Sequence, residues 1–151
     1  MPSQATNYFY TLLAMGFVAL MLTNAFEIRA TGLRAVSERQ ELRRILEAVA
    51  SEASELVALT EATGASARIG LRLPTNIGDK SYWVRLRSDA SAAWVEGGFG
   101  EPWVGEPDFR VDLPSDVSAS GTYKGGYGTL ALNCTAQGSD TVLALGRWEA
   151  G

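Results

Sequence analysis

Residues Tyr8–Phe26 read YFYTLLAMGFVALMLTNAF, a run of 19 in which only Thr11, Thr23 and Asn24 are polar without being aromatic. As an α-helix this run rises about 28 Å at ~1.5 Å per residue, close to the thickness of a bilayer hydrocarbon core. No charged side chain occurs in the first 26 residues, and Glu27 and Arg29 end the apolar run abruptly. The pattern predicts a retained membrane anchor. A cleaved secretory signal would have a basic start, a shorter apolar stretch and a small-x-small cleavage site. Here the residues before Tyr8 are MPSQATN, and nothing like A-x-A follows Phe26. A core helix that is apolar all round would need a large domain around it.

Working outward, a second helical signal runs from Thr31 to Thr60 without a proline. Leu33, Val36, Leu42, Ile45, Leu46, Val49, Ala53, Leu56 and Val57 fall at intervals that place one apolar stripe on one helix face. Glutamates and arginines fill the other faces. Leu42, Ile45, Leu46, Val49 and Leu56 are the expected packing stripe, set either against the domain that follows or against identical helices. Charged Glu38 and Glu52 interrupt the heptad companion position, so it is not a clean coiled-coil seam. Thr31-Gly32 is a point where the helix could bend, and Gly64 is the expected stop.

Beyond Gly64 the composition turns to Gly, Ser, Thr, Val, Trp and Tyr. Alternation predicts strands at Arg68–Leu73, Tyr82–Arg87, Ala92–Glu96, Phe109–Leu113, Ser120–Tyr123, Gly128–Cys134 and Thr141–Trp148, with Gly97–Pro107 as a loop. Short strands between Gly/Pro turns indicate an antiparallel β-sandwich or small barrel. The expected fold is therefore α+β: a long N-terminal helix, transmembrane and then amphipathic, followed by that β-domain. The expected divisions are 1–30 for the anchor, 31–64 for the amphipathic extension and 65–151 for the β-domain.

Composition narrows the function. The net charge is −4, so no basic footprint for nucleic acid is present. With no histidine, Ser-His-Asp and Cys-His arrangements are excluded, and Cys134 alone forms neither an intramolecular disulfide nor a His/Cys metal cluster. Carboxylates beside turns, such as Glu101/Glu106 and Asp108/Asp112, are commonly just solvated. Neither Lys80 nor Lys124 lies in an apolar run that would depress its pKa. No enzyme, cofactor, metal or small-molecule substrate is expected. The stretch EGGFGEPWVGEP (96–107) offers Phe99 and Trp103 as a candidate partner loop, or as aromatics folded back over the core. Gly125-Gly126 suits a tight hairpin turn between Tyr123 and Tyr127. Asn133-Cys134-Thr135 is an N-x-T sequon, making Asn133 a candidate glycosylation acceptor.

An uncharged N-terminus, one apolar helix, a charged amphipathic helix and a β-domain opening with LRLPTNIGDKSYWVRL together resemble archaeal type IV pilin-like proteins. These include accessory, pseudopilin-type subunits of the archaeal motility filament. Locally the resemblance rests on Leu71–Leu86: a strand ending in Leu-Pro, a Gly turn, then Tyr-x-Val-x-Leu. It implies that Tyr8–Phe26 serves both as membrane anchor and as filament-core helix, with other pilin-like subunits or further copies as partners. Tyr8, Leu12, Gly16, Ala19 and Thr23 are then the candidate membrane and assembly positions, Ala19 and Thr23 sharing a face where small residues permit close approach. Two features depart from the family pattern. No Lys or Arg precedes Tyr8, where prepilins carry a basic cleavage site, and no glutamate occurs before Glu27. Either the subunit is unprocessed or the numbering begins at a form without its leader. Arg29, Arg34, Arg39, Arg43 and Arg44 lie on the C-terminal side of the anchor, which by the positive-inside rule favours a cytoplasmic domain. The resemblance places that domain outside, and the expected location is the cell membrane with the C-terminal domain extracellular, or an extracellular filament. The alternative function is a single-pass anchored β-sandwich binding module, a stator-like accessory contacting the cell envelope or a partner protein.

Overall fold

The computed structural model describes residues 3–102, 106–114, 117–138 and 140–149. One helix, α1, runs from Ser3 to Thr63, through Thr31-Gly32 without interruption. It ends where expected. Gly64 adopts φ +67° and its N–H donates to the Thr60 carbonyl at 2.8 Å, the left-handed closure that glycine makes without steric penalty. Seven strands follow: β1 (Ala67–Leu71), β2 (Tyr82–Ser88), β3 (Ala93–Phe99), β4 (Phe109–Asp112), β5 (Val117–Lys124), β6 (Leu130–Gln137) and β7 (Asp140–Arg147).

The α+β class, with a long helix followed by a mostly antiparallel sheet, is the architecture observed. The sheet is one layer, ordered β1-β6-β7-β5-β2-β3-β4, with a single parallel pair, β5 and β7. Its second layer is helical. Leu42, Ile45, Leu46, Val49, Ala53, Leu56 and Val57 are buried in one cluster with Tyr82, Val84, Leu86, Val95, Tyr123, Leu132, Leu143 and Leu145. The three-four spacing of the stripe and the alternation of the strands thus meet as helix on sheet, so no second sheet is needed to cover the apolar face.

Two expectations are corrected. Gly97–Phe99 belongs to β3, paired with Tyr82–Val84, and is not loop. A Cβ at Gly97 would sit 2.7 Å from Leu46 Cδ2 and 2.8 Å from the Trp83 carbonyl, so the missing side chain lets the helix approach the sheet. Gly125-Gly126 makes a turn but not a hairpin, because β7 lies between β5 and β6. Gly125 is needed for close approach: a Cβ there would stand 2.6 Å from the Tyr82 ring.

The compact units are Met1–Ser37 and Glu38–Gly151. The second contains the helix–sheet core; the described residues of the first, from Ser3, are helix alone.

Candidate functional site

In the first unit the described apolar residues lie on the helix surface, with an edge-to-face ring contact between Phe9 and Tyr10. Tyr8, Leu12, Met15, Leu20, Met21 and Phe26 are exposed, and no residue of the most apolar window is buried. Length and composition make this helix a candidate membrane span. Its few hydroxyls suit an apolar surrounding. Thr11 Oγ1 donates to the Asn7 carbonyl at 2.8 Å and Thr23 Oγ1 to the Ala19 carbonyl at 2.9 Å, so neither proton needs water. Gly16 leaves open space on the helix surface.

In the second unit the LRLPTNIGDKSYWVRL stretch is folded back on itself. The Tyr82 hydroxyl donates to the Pro74 carbonyl at 2.6 Å, Ile77 and Lys80 exchange backbone hydrogen bonds, and Lys80 pairs with Glu38 at 2.6 Å. Burial pushes the Tyr82 phenol well up, with Tyr123 adding to it, and burial also raises Tyr123, which donates to the Gly128 carbonyl at 2.6 Å. Both phenols therefore remain protonated donors that pin turns, not acids poised for chemistry. Lys124 is held protonated by its hydrogen bond to Glu101.

The sheet face opposite the helix carries a cluster the sequence alone did not single out. Register places Arg85 and Arg110 on either side of Glu96. Glu96 is buried, accepting from Arg85 Nε at 2.5 Å and from Trp94 Nε1 at 3.0 Å. The Arg110 guanidinium lies 4.0 Å from the Trp94 ring centre, and that of Arg85 lies 5.0 Å from Trp83, which is fully buried. The signal that could have found it is the pairing of YWVRLR with AWVEGGF, which sets Arg85 opposite Glu96. Arg85, Glu96 and Trp94 satisfy one another, and Arg110 pairs with Asp112 at 2.9 Å, so the cluster is a staple across β2, β3 and β4; the buried Trp83 Nε1 has no hydrogen-bond partner.

Phe99 packs partly buried against the core, with Lys80 5.4 Å from its ring centre; Trp103 lies outside the described residues. Asn133 is half-buried mid-strand in β6, between β1 and β7, whereas a glycan acceptor belongs on a surface loop. Among the described residues no three His, Cys, Asp or Glu gather where a metal ion could be held. One groove of about 310 Å³ runs between α1 and the sheet edge, lined by Glu52, Glu55, Leu56, Leu59 and Ile69. Among the described residues the candidate surfaces include the exposed apolar helix, this groove, and comparable hollows of about 380 Å³ at Asp89–Ala92 and about 340 Å³ beside Tyr123, Lys124, Tyr127 and Arg147.

Compared with known proteins, the chain matches no protein-family model, no curated protein and no solved structure.

Proposed function

We propose that the protein is a membrane-anchored, pilin-like structural subunit of an archaeal cell-surface filament, with its sheet domain outside the membrane. The observation that carries this reading is the division of labour along one uninterrupted helix. Residues 42–60 complete a core with the sheet, while Tyr8–Phe26 expose apolar side chains on every face. Such a surface is stable only in lipid or against other apolar helices. A helix that serves in both settings, anchored before assembly and bundled after it, accounts for an apolar surface without a seam.

The test is Ala19→Phe. Phenylalanine is well tolerated by lipid, so membrane insertion should be unchanged, whereas close helix–helix approach at this face should be blocked. Filaments visible by electron microscopy on cells making the parent chain should be lost or sharply reduced. A variant that inserts and forms filaments like the parent overturns the helix-packing basis. A parent that never forms filaments overturns the reading itself in favour of a lone anchored module.

A further inference from the structure

The sheet face turned away from the helical layer carries a trough along its parallel pair. Val117, Ala119 and Tyr123 of β5 and Leu143 and Leu145 of β7 point into the core. By alternation, Ser118, Ser120 and Thr122 and, beside them, Val142, Ala144 and Gly146 make the outer floor. All six are small and none is fully buried. Arginines stand on both banks. Arg68 of β1 pairs in register with Asn133 of β6, and Asn133 with Ala144. On the other side Arg87 of β2 lies one step past the Leu86–Gly121 pair, beside Ser120. One line across the sheet thus runs Arg68, Asn133, Ala144, Ser120, Arg87, about 19 Å between its ends at ~4.8 Å per strand. The Arg68 guanidinium lies 4.1 Å from the Trp148 ring centre, a stack that fixes its plane and leaves its N–H edge open. The Arg87 side chain is 58% exposed, and its one carboxylate neighbour, Glu96, at 3.9 Å, is already held by Arg85. Where the floor ends, Thr122 opens into the hollow lined by Tyr127 and Arg147, and Tyr127 is 55% exposed. Among the described residues neither Arg68 nor Arg147 takes part in an ion pair.

We propose that this trough binds an acidic polysaccharide, a chain of sugars bearing carboxylate or sulfate groups. Guanidinium forks suit such oxyanions, and a stacked one is already oriented for them. The Ser118, Ser120 and Thr122 hydroxyls and the Asn133 amide both donate and accept, as sugar hydroxyls require. Tyr127 supplies an exposed ring beside Arg147 for the apolar face of a sugar. One small anion does not span the banks, so charges spaced along a chain are what engage both. A nucleic acid is disfavoured because its binding draws on many phosphate contacts, about 6–10 in well-studied cases, and this face has few uncommitted cations. A membrane surface is disfavoured because the floor has no large apolar side chain to insert. The site belongs to the sheet alone and goes beyond the filament reading, holding whether or not the chain assembles.

The test is calorimetric titration of the full chain in neutral detergent with alginate, a polymer of uronic acids, and with neutral dextran and single-stranded poly(dT) for comparison. Alginate should bind and dextran should not. Arg68→Gln and Arg87→Gln should each weaken alginate binding roughly tenfold, the scale of one charge-assisted hydrogen bond. Arg43→Gln with Arg44→Gln removes as much charge from the exposed side of α1 and should change nothing. Ser120→Trp fills the floor, keeps every charge and should abolish binding; if it lowers the urea midpoint, Ala144→Gln on the neighbouring strand replaces it. An alginate affinity no greater than that for dextran overturns the proposal, as does equal or tighter binding of poly(dT). So does a loss that is the same for the α1 pair as for Arg68 and Arg87, or full binding by a folded floor variant.

Discussion

Replacing Glu96 by alanine should destabilise the sheet domain by about 3 kcal/mol. The carboxylate is 4% exposed and takes hydrogen bonds from Arg85 and from the Trp94 indole, with Arg87 at 3.9 Å. Removing it strands a guanidinium whose side chain is 20% exposed, together with a half-buried N–H. Breaking a buried pair from one side costs about 3–5 kcal/mol. The lower end applies because Arg85 keeps some water, its stacking on Trp83 and a 3.3 Å hydrogen bond to the Pro102 carbonyl. Glu96→Gln retains an acceptor for Trp94 and should cost about 1.5 kcal/mol, the scale of one hydrogen bond to a charged group. An Arg85→Met, Glu96→Leu double variant replaces the pair with apolar volume and should lie well above the sum of the two single losses. Urea unfolding of the full chain in detergent, followed by tryptophan fluorescence, measures the parent, these variants and the single Arg85→Met and Glu96→Leu variants of the cycle, because Trp83 and Trp94 flank the pair. A Glu96→Ala loss below about 0.5 kcal/mol, comparable with an exposed pair, would refute the argument. So would strict additivity in the cycle.

Three further outcomes follow from other parts of the molecule. Gly121 has φ +126°, and a Cβ there would run into the Leu145 carbonyl of the parallel partner strand; Gly121→Ala should cost about 3 kcal/mol or prevent folding, read by the same unfolding curve. Leu20→Asp puts a carboxylate near the centre of the apolar run at a cost of about 3 kcal/mol for insertion, and should move protein from the membrane pellet to the soluble or aggregated fraction. Asp89 accepts hydrogen bonds from the Ser91 and Ala92 N–H groups, which hold its carboxyl below the usual aspartate value. Its contribution is therefore fully present above the unfolded pKa of about 3.9 and is lost as pH falls through the lower folded value. An unfolding midpoint that separates Asp89→Ala from the parent at pH 6 and converges with it near pH 2 would fit; equal separation at both would not.

What was legible in the sequence was local. The charge-free run, the helical stripe ending at Gly64 and the alternation of YWVRLR, FRVDL and TVLALGRW all express short-range periodicity, and each lies in the element it indicates. What escaped depends on pairing between distant segments. Gly97 and Gly98 look like loop until Leu46 and Trp83 are seen to need their missing side chains. Trp83 alternates onto the face away from the helix, where alternation alone implies solvent, yet it is fully buried there. The sheet's single layer was hidden because an amphipathic helix and a second sheet bury an apolar face equally well. At the candidate site, the candidate membrane span was evident from Tyr8–Phe26. The groove was not, since Ile69 joins Leu56 and Leu59 only through the pairing of β1 at the sheet edge.

The position of β7 has a consequence for how the protein is made. Of the seven strands this one leaves the ribosome last, yet it lies inside the sheet, joining β6 and β1 on one side to β5, β2, β3 and β4 on the other. Until it is synthesised, β1 and β6 have no link to the other four strands, and the Leu42–Thr60 helix face has no continuous sheet to cover it. At about 5–20 residues per second, several seconds separate the emergence of Tyr8–Phe26 from that of β7. Tyr8–Phe26, within the candidate membrane span, is thus available to a bilayer while the sheet behind it is still unpaired.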